Sequence, residues 1–278
     1  MSRKPLMVIP VSAPVQQAAF DLISIIIEAL DTSGETLQDG DVLAISSKYT
    51  AISQGRIVSL DTIEISPFAA ELAERYHMNP RMAQLVVQEA DHIFGGISGF
   101  LLTYKDGILS PNAGIDRSNI PNGYAVLFPE NPYQMADNIR RDLRQRLNVD
   151  VGIILTDSWL MPGRLGTTGV ALATAGFKPL KDERGKYDLF GNEMLVTVRG
   201  VADQICQSAE LVMGERDEAT PLAIVRNTGV ELGDYELGVD DVAIDWRQCI
   251  YVQSLTEGRL DNTPEPATSN GHKTKIVR

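Results

Sequence analysis

The chain has 278 residues, of which 44% are hydrophobic and 22% charged, an ordinary composition for a globular protein with a sizeable core. Its formal net charge of −12 argues against nucleic acid and anionic membranes as partners, because phosphate binding requires a basic face. Cys206 and Cys249 stand outside any CxxC pair, which argues against a zinc site and favours a reducing compartment. The sequence shows no signal-peptide pattern and no apolar span, so we expect a cytoplasmic protein.

Apolar patterning predicts alternating strands and helices in the first half of the chain. Strands are predicted over residues 6–11, 41–45 and 124–127, and helices over 17–30, 67–76 and 80–90. Residues 94–102 are expected to be extended or loop segments. The order of these elements indicates mixed α and β structure without a simple βαβ series.

The second half of the chain predicts two further helices and a strand. Apolar residues recur at helical spacing over 133–147 and 201–212, and residues 221–226 read as a strand. Glycines and charges over 181–191 predict an exposed loop or hairpin. We expect one catalytic unit over residues 1–262, with two intimate subdomains as an alternative, and a disordered tail over 263–278.

The stretch from residue 151 to residue 176 organises the rest of the chain. An apolar run over 151–155 predicts a buried strand that stops at Thr156-Asp157-Ser158. A turn-rich loop carrying Arg164 follows, and residues 170–176 predict a tightly packed helix or strand. A carboxylate and a hydroxyl held at the end of a core strand suit Mg²⁺ or Mn²⁺, while an ordinary turn or helix cap is the alternative.

Three other polar clusters follow apolar segments, at residues 46–48, 112–119 and 214–220. Asp116, Asp157, Ser158 and Glu215 together offer hard oxygen ligands for one or two divalent cations. Taken singly, Asp116 suits a turn, Glu215 a solvated helix end and Lys48 a plain surface position. Neither GxxxxGK[ST] nor a GxGxxG following a strand is present, so the common nucleotide folds are not indicated. These residues alone indicate a divalent-metal enzyme acting on anions.

Several short runs, in a fixed order along residues 7–226, resemble the coenzyme F-420-0:L-glutamate ligase (F-420 γ-glutamyl ligase) family. The runs are Ser47-Lys48 with Gly55-Arg56, NAGIDRSN over 112–119, Thr156-Asp157-Ser158 with Arg164-x-Gly166 and Val170-Ala171, Asp182-x-Arg184-Gly185, and AELVMG over 209–214. The NAGIDRSN and AELVMG runs are the most specific of these signals.

The resemblance implies an α+β fold peculiar to this family, with mixed sheets and packed helices, and a homodimer. Its members add L-glutamate to the deazaflavin F-420-0, using GTP and divalent metal, for which we expect two Mg²⁺ or Mn²⁺ ions. GTP would convert the acceptor carboxylate to an acyl phosphate, which the amine of glutamate would displace to form an amide. Such phosphoryl transfer depends mainly on charge neutralisation and alignment.

Site roles implied by the resemblance fall on matching positions of this sequence. Asp157 and Arg164 would be catalytic. The implied metal ligands are Asp116, Asp157, Ser158 and Glu215. The implied nucleotide contacts are Ala13, Pro14, Val15, Ser47, Lys48, Asn119, Met213, Gly214, Arg216 and Thr220.

The sequence departs from the family pattern at three positions. Ile52 stands where members commonly carry a lysine that contacts GTP, Met161 where arginine is common, and Gly163 where tryptophan is usual. The loss of cations from an anion site predicts a nucleotide site that is weaker than usual or altered in base preference. Two alternatives therefore stand beside the F-420-0 ligase: a γ-glutamyl ligase for another acceptor such as a folate, and a metal- and nucleotide-binding homologue without turnover.

Overall fold

The computed structural model describes residues 4–256, so the tail predicted over 263–278 lies outside the described part of the chain. The chain divides between Ala243 and Ile244 into a larger and a smaller compact unit. None of the helices within the described residues is long and apolar enough to cross a membrane.

The elements of the larger unit alternate irregularly along the chain. Its strands are β1 (Met7–Val11), β2 (Val42–Ser46), β3 (Ile57–Ser59), β4 (His92–Ile97), β5 (Phe100–Lys105), β6 (Ile108–Pro111), β7 (Tyr124–Val126), β8 (Gly152–Leu160), β9 (Thr167–Ala175), β10 (Leu180–Asp182), β11 (Val198–Gly200) and β12 (Leu222–Arg226). Its helices are α1 (Leu22–Ser33), α2 (Ser47–Ser53), α3 (Pro67–Arg75), α4 (Pro80–Glu89), α5 (Pro132–Leu147) and α6 (Val201–Met213).

A five-stranded sheet in the order β1-β12-β2-β8-β9 forms the core of this unit. Strands β2 and β8 run parallel, and every other pair in the sheet is antiparallel. The buried parts of the central strands are almost wholly apolar because helices cover both faces of the sheet. The carboxyl ends of the parallel pair therefore open at one edge, where Ser46 and Thr156 are register partners.

Helices α1 and α5 cover one face of this sheet and α6 covers the other. Ile26 and Ile139 belong to the cluster that includes Ile153 of β8. Ala209 of α6 packs in a separate cluster with Ile154, the next residue of the same strand. The alternation of neighbouring strand residues between two clusters follows from the two-residue period of a strand.

A third apolar cluster joins α3 and α4 to the smaller sheets. Leu72 of α3 and Leu85 of α4 are buried with Leu101 of β5 and Ala125 of β7. Strand β5 is the centre of the sheet β4-β5-β6, and β7 pairs with β3. This layer carries the turn after β6, which reaches back toward the main sheet.

The predicted α+β class, with mixed sheets and packed helices, is confirmed. Residues 94–102, expected as extended or loop segments, contribute to the hairpin of β4 and β5. The helix predicted over 17–30 instead begins at Leu22, because the Asp21 side chain accepts a hydrogen bond from Ser24 N at 3.2 Å and caps it.

The predicted end of the central strand at residues 156–158 is wrong. Strand β8 continues through Asp157 and Ser158 to Leu160, because β9 pairs with it along this whole polar segment. A cluster of consecutive polar residues after an apolar run commonly marks the end of a strand. Here these residues stay in the strand and line a cavity.

Strands β10 and β11 begin and close an exposed hairpin, which we define as residues 180–200. The predicted loop or hairpin over 181–191 is confirmed as part of it. Its tip is held by its own hydrogen bonds: the Asp188 carboxylate accepts from Phe190 N and Asn192 N, both at 2.8 Å. The hairpin therefore keeps its shape without a buried core of its own.

The smaller unit, taken by itself, contains a 3₁₀ turn and a final helix, α7 (Ile250–Thr256). Asp245 caps the turn by accepting a hydrogen bond from Arg247 N at 2.8 Å. The Arg247 guanidinium lies 4.4 Å from the centre of the Trp246 ring. A limit at residue 262 for the catalytic unit remains a prediction.

Candidate functional site

A cavity of about 470 Å³ opens where the parallel strands β2 and β8 end, a size typical of small-molecule sites. Its walls come from the segment after β1, the start of α2, the turn after β6, the outer half of β8 and the loop after α6. Five segments distant in sequence therefore meet at one sheet edge, as expected for ligand sites of α/β sheets.

Asp157 enters the cavity from β8. A register shift between Leu155 and Thr156 lies just before it, and such a bulge redirects the side chains that follow. Burial raises the pKa of Asp157 to about 7, although a hydrogen bond from Ser158 N at 2.9 Å acts in the opposite direction. The charge of Asp116, which lines the same cavity, raises this pKa further.

The turn that delivers Asp116 is left-handed at three consecutive residues. Asn112, Ala113 and Gly114 have φ angles of 52°, 53° and 70°. A Cβ on Gly114 would lie 2.0 Å from the Phe128 ring, so only glycine fits there. Left-handed backbone at a non-glycine residue costs of order 1–3 kcal/mol and tends to cluster at functional sites. The strain is consistent with a turn shaped to bring Asp116 back to the main sheet.

Lys48, the second residue of α2, holds Asp116. Its Nζ lies 2.6 Å from Asp116 Oδ2 and donates hydrogen bonds to Ser118 O at 3.0 Å and Ser118 Oγ at 2.7 Å. Burial acts to raise the pKa of Asp116, but the Lys48 charge and the hydrogen bonds from Lys48 and Ser118 outweigh it and lower that pKa. Asp116 is therefore ionised and already paired, in contrast to Asp157.

Glu215 follows the end of α6 and lies across the cavity from these residues. Ser158 Oγ donates to Glu215 Oε2 at 3.3 Å, and Thr167 Oγ1 donates to Glu215 Oε1 at 3.0 Å. All four residues predicted as metal ligands, Asp116, Asp157, Ser158 and Glu215, line the same cavity. The fold therefore brings this predicted set together.

Glu210 is a cavity residue that the sequence reasoning missed. It lines the cavity from α6, and its carboxylate accepts a hydrogen bond from Thr156 Oγ1 at 2.8 Å. Thr156 Oγ1 also contacts the buried Cys206 thiol. Burial and the charge of Glu215 raise the pKa of Glu210 above its usual value, although the hydrogen bond from Thr156 acts in the opposite direction. The available signal was a charged residue at helical spacing from the buried Cys206 and Met213 of α6.

Most residues predicted to contact a nucleotide also line the cavity. They are Ala13, Pro14, Val15, Lys48, Asn119, Met213, Gly214, Arg216 and Thr220. The segment after β1 is tied to the cavity wall by Tyr49, whose hydroxyl donates to Pro14 O at 2.8 Å. Ser47 is buried, with 4% of its surface exposed, and is not part of the lining.

Arg164 lies outside the cavity, exposed in the turn between β8 and β9. Met161 and Gly163 share that exposed turn. Ile52 in contrast lines the cavity with only 4% of its surface exposed, and it packs against Ala51 and Val126. A catalytic role for Arg164 remains a prediction.

The donor types of the cavity suit a hard divalent cation. Within residues 4–256, no three His, Cys, Asp or Glu side chains converge into a ready-made metal cluster. The cavity lining nevertheless includes five carboxylates but only two cationic side chains, Lys48 and Arg216; the carboxylates are those of Asp116, Asp157, Glu210, Glu215 and Glu218. Carboxylate oxygens with an uncompensated negative charge fit Mg²⁺ or Mn²⁺ better than zinc.

Comparison with known proteins identifies relatives along most of the chain. The family model described as F420-0:Gamma-glutamyl ligase matches residues 10–227. The coenzyme F420:L-glutamate ligase of Methanopyrus kandleri is 41% identical over 217 residues, covering 78% of this chain and 84% of the relative. The enzymes of the same name from Methanothermobacter thermautotrophicus and Haloarcula marismortui are each 35% identical, covering 77% and 85% of this chain and 85% and 91% of the respective relatives. The chain therefore belongs to the F420-0:gamma-glutamyl ligase family.

Proposed function

We propose that this protein is a GTP-dependent ligase that joins L-glutamate to coenzyme F-420-0 through an amide bond, with divalent metal. The observation that carries the proposal is the meeting of Asp116, Asp157 and Glu215, from three separate segments, in the cavity that Lys48 also enters. The family membership and the names of the relatives support the ligase class and both substrates.

The proposed reaction has two steps. A carboxylate oxygen of the acceptor bonds to the γ-phosphorus of GTP, and the bond from that phosphorus to the bridging oxygen breaks to release GDP. The glutamate ammonium gives one proton to water, and the resulting neutral amine bonds to the acyl carbon. The acyl carbon–oxygen bond breaks to release phosphate, and the nitrogen gives a second proton to water to leave the amide. Activation is required because a free carboxylate has no adequate leaving group.

Metal ions would be held by Asp116, Asp157, Ser158 and Glu215, and when bound they would neutralise phosphate charge and align the reacting groups. Asp157 would bind as the carboxylate, because a hard cation favours the ionised form over the proton. Ser158 Oγ, which donates to Glu215 in the described structure, would turn its lone pairs toward the ion.

The chain's own cations and backbone would hold the nucleotide. Lys48 Nζ is already inside the cavity and would move from Asp116 to a phosphate oxygen. Residues 213–220 form a loop at the end of α6, where the exposed Arg216 adds a positive charge at the rim. Ile52 offers no charge at the cavity wall, so we expect weaker GTP binding than in relatives with lysine there.

The proposed partners are GTP, L-glutamate and a deazaflavin acceptor, and the proposed assembly is a homodimer. The exposed hairpin supports the dimer because it carries a group of large apolar side chains to the surface. They are Tyr187, Leu189, Phe190, Leu195 and Val196. Such a concentration of exposed apolar side chains marks an interaction surface.

Mass spectrometry of reaction products tests the proposal directly. Purified protein is incubated with L-glutamate, Mn²⁺ and either GTP or ATP, with F-420-0 or a folate as acceptor. We expect the F-420-0 mass to rise by one glutamyl residue with GTP. A glutamyl folate would assign a different acceptor, and nucleotide binding without any amide product would make the chain a homologue without turnover.

A further inference from the structure

Thr156 occupies a distinctive place beneath the cavity. It is the last register partner of β2, opposite Ser46, and it is the first residue after the register shift in β8. Its side chain is buried and faces α6. The next residue along the strand is Asp157.

Helix α6 holds this threonine through two side chains one turn apart. Glu210 accepts a hydrogen bond from Thr156 Oγ1 at 2.8 Å, and the Cys206 thiol contacts the same oxygen. Both side chains come from the face of α6 that packs on the sheet. The hydroxyl therefore links the helix directly to the backbone that precedes Asp157.

Gly169 makes this approach possible. It lies on β9 as the register partner of Ser158. A Cβ at Gly169 would lie 2.5 Å from Glu210 Cγ and 2.9 Å from the backbone of Cys206. Any side chain here would push α6 away from the sheet. The absence of a side chain at Gly169 therefore allows Glu210 and Cys206 to reach Thr156.

We propose that Glu210 and Thr156 are positioning residues, which fix the bulge in β8 and thereby hold the Asp157 carboxylate in place for a divalent cation. The inference rests on the proposed function, because it assumes that Asp157 binds that cation. Bulges redirect side chains near active sites, and a partner on a neighbouring element removes the freedom of the extra residue. Polar groups that orient a metal ligand typically change metal affinity by about 10–100-fold when they are removed.

The test measures Mn²⁺ affinity, with free Mn²⁺ counted by electron paramagnetic resonance, in the full chain without nucleotide. Thr156→Val keeps the shape of the side chain but removes the hydroxyl, and Thr156→Ser keeps the hydroxyl. We expect Thr156→Val to weaken Mn²⁺ binding by about tenfold or more and Thr156→Ser to stay close to wild type. Thermal melts accompany each variant to confirm that it is folded.

A matched control is available on the neighbouring strand. Thr174 is also buried, pairs with Ile154 of β8, and its hydroxyl has no hydrogen-bond partner among the described residues. Thr174→Val should therefore leave Mn²⁺ affinity unchanged. A loss of affinity equal to that of Thr156→Val would mean that any buried Thr→Val change disturbs the sheet, and the inference would be overturned.

Two variants of Glu210 separate positioning from direct ligation. Glu210→Gln retains an acceptor for the Thr156 hydroxyl, whereas Glu210→Leu removes it, so we expect Glu210→Gln to bind Mn²⁺ about tenfold more tightly than Glu210→Leu. Equal weakening of both would show that Glu210 acts through its charge and would overturn the positioning role. Wild-type affinity in Thr156→Val would overturn the inference while leaving the proposed function intact, and a wild-type protein that binds no Mn²⁺ would overturn both.

Discussion

Two aspartates that line the same cavity have pKa values shifted in opposite directions by their surroundings. Burial and the charges of Asp116 and Glu210 raise the pKa of Asp157 to about 7, although the hydrogen bond from Ser158 and the charge of Lys48 act in the opposite direction. Partial burial acts to raise the pKa of Asp116, whose side chain is 43% exposed, but Lys48 and Ser118 outweigh it and lower this pKa below its usual value. In the absence of a bound cation, the charge of Asp157 opposes folding and the charge of Asp116 supports it.

The first prediction concerns stability without metal. The raised folded-state pKa of Asp157 means that stability is lost as the pH rises from its unfolded value toward about 7. Asp157→Asn removes that loss, so the variant should exceed wild type by about 1–2 kcal/mol near pH 8, after allowance for partial exposure, and match it near pH 4. Denaturant unfolding in chelator at the two pH values measures the difference.

Asp116→Asn serves as the contrasting variant. The lowered pKa of Asp116 gives stability that is present above pH 3.8 and is lost as the pH falls through its folded-state value. Asp116→Asn should therefore destabilise the metal-free protein near neutral pH. Both variants should lose ligation. A destabilised but active Asp157→Asn protein would contradict its assignment as a metal ligand.

The second prediction concerns Lys48, which contacts the oxygens that a cation would use. Lys48→Met should tighten Mn²⁺ binding in the absence of nucleotide by roughly fivefold, because a partly buried ion pair worth about 1 kcal/mol no longer competes. The same variant should bind GTP more weakly. Calorimetric titrations with each ligand measure both effects.

Lys105→Met provides the matched control, because Lys105 Nζ pairs instead with Glu89 Oε2 at 3.2 Å, away from the cavity lining. It should change neither affinity. Weaker Mn²⁺ binding in Lys48→Met would show that Lys48 assists the cation instead of competing with it.

At the scale of elements, the end of helix α3 contains backbone strain that the sequence pattern does not reveal. Helix α3 ends in a turn in which Met78 N bonds to Ala73 O at 2.9 Å, and His77 takes a φ of 51°. This left-handed position normally carries glycine. His77 is exposed, so its side chain contributes little packing that would offset the strain.

The third prediction is that His77→Gly stabilises the protein. Glycine relieves the left-handed strain of the folded state but gives the unfolded chain more conformational entropy. We expect the first effect to be larger, with a net gain of about 0.5–1 kcal/mol in the free energy of unfolding. Thermal and denaturant unfolding measure it. His77→Ala should show no gain, since alanine keeps the Cβ, and an equal gain in both variants would assign the effect to the imidazole instead.

At the scale of the whole molecule, the distribution of exposed apolar side chains bears on the proposed homodimer. The chain carries a net charge of −12, which favours dispersed molecules, yet its exposed hairpin presents Leu189 with 99% and Phe190 with 90% of their surfaces exposed. The tip is ordered by Asp188, so these side chains are displayed on a defined shape.

The fourth prediction is that this hairpin is the dimer contact. Replacement of Leu189 and Phe190 together by serine should convert the dimer to a monomer, because the apolar area available for association is removed. Analytical ultracentrifugation measures the mass. Phe68→Ser, which changes an exposed aromatic residue on α3 outside the hairpin, is the control and should leave the mass unchanged. A double variant that remains dimeric would place the interface elsewhere.

The α+β class, most of the helices and the family follow from the sequence alone. Local patterns suffice for these features, because periodicity, caps and short motifs such as NAGIDRSN and AELVMG depend on neighbouring residues. Three of the five carboxylates that line the cavity, Asp116, Asp157 and Glu215, are also predicted, whereas Glu210 and Glu218 are not. The charge of Glu210 on a buried helix face has meaning only once Thr156 is known to lie opposite it.

Three features depend on long-range contacts: where strand β8 ends, which residues meet in the cavity and which stay outside it. Asp157 and Ser158 remain in the strand because β9 supplies partners that lie later in the chain. Lys48 pairs with Asp116 across the gap between two layers, while Arg164 stays exposed in a turn. Contacts of this kind depend on the path of the chain between distant residues, which local propensity does not encode.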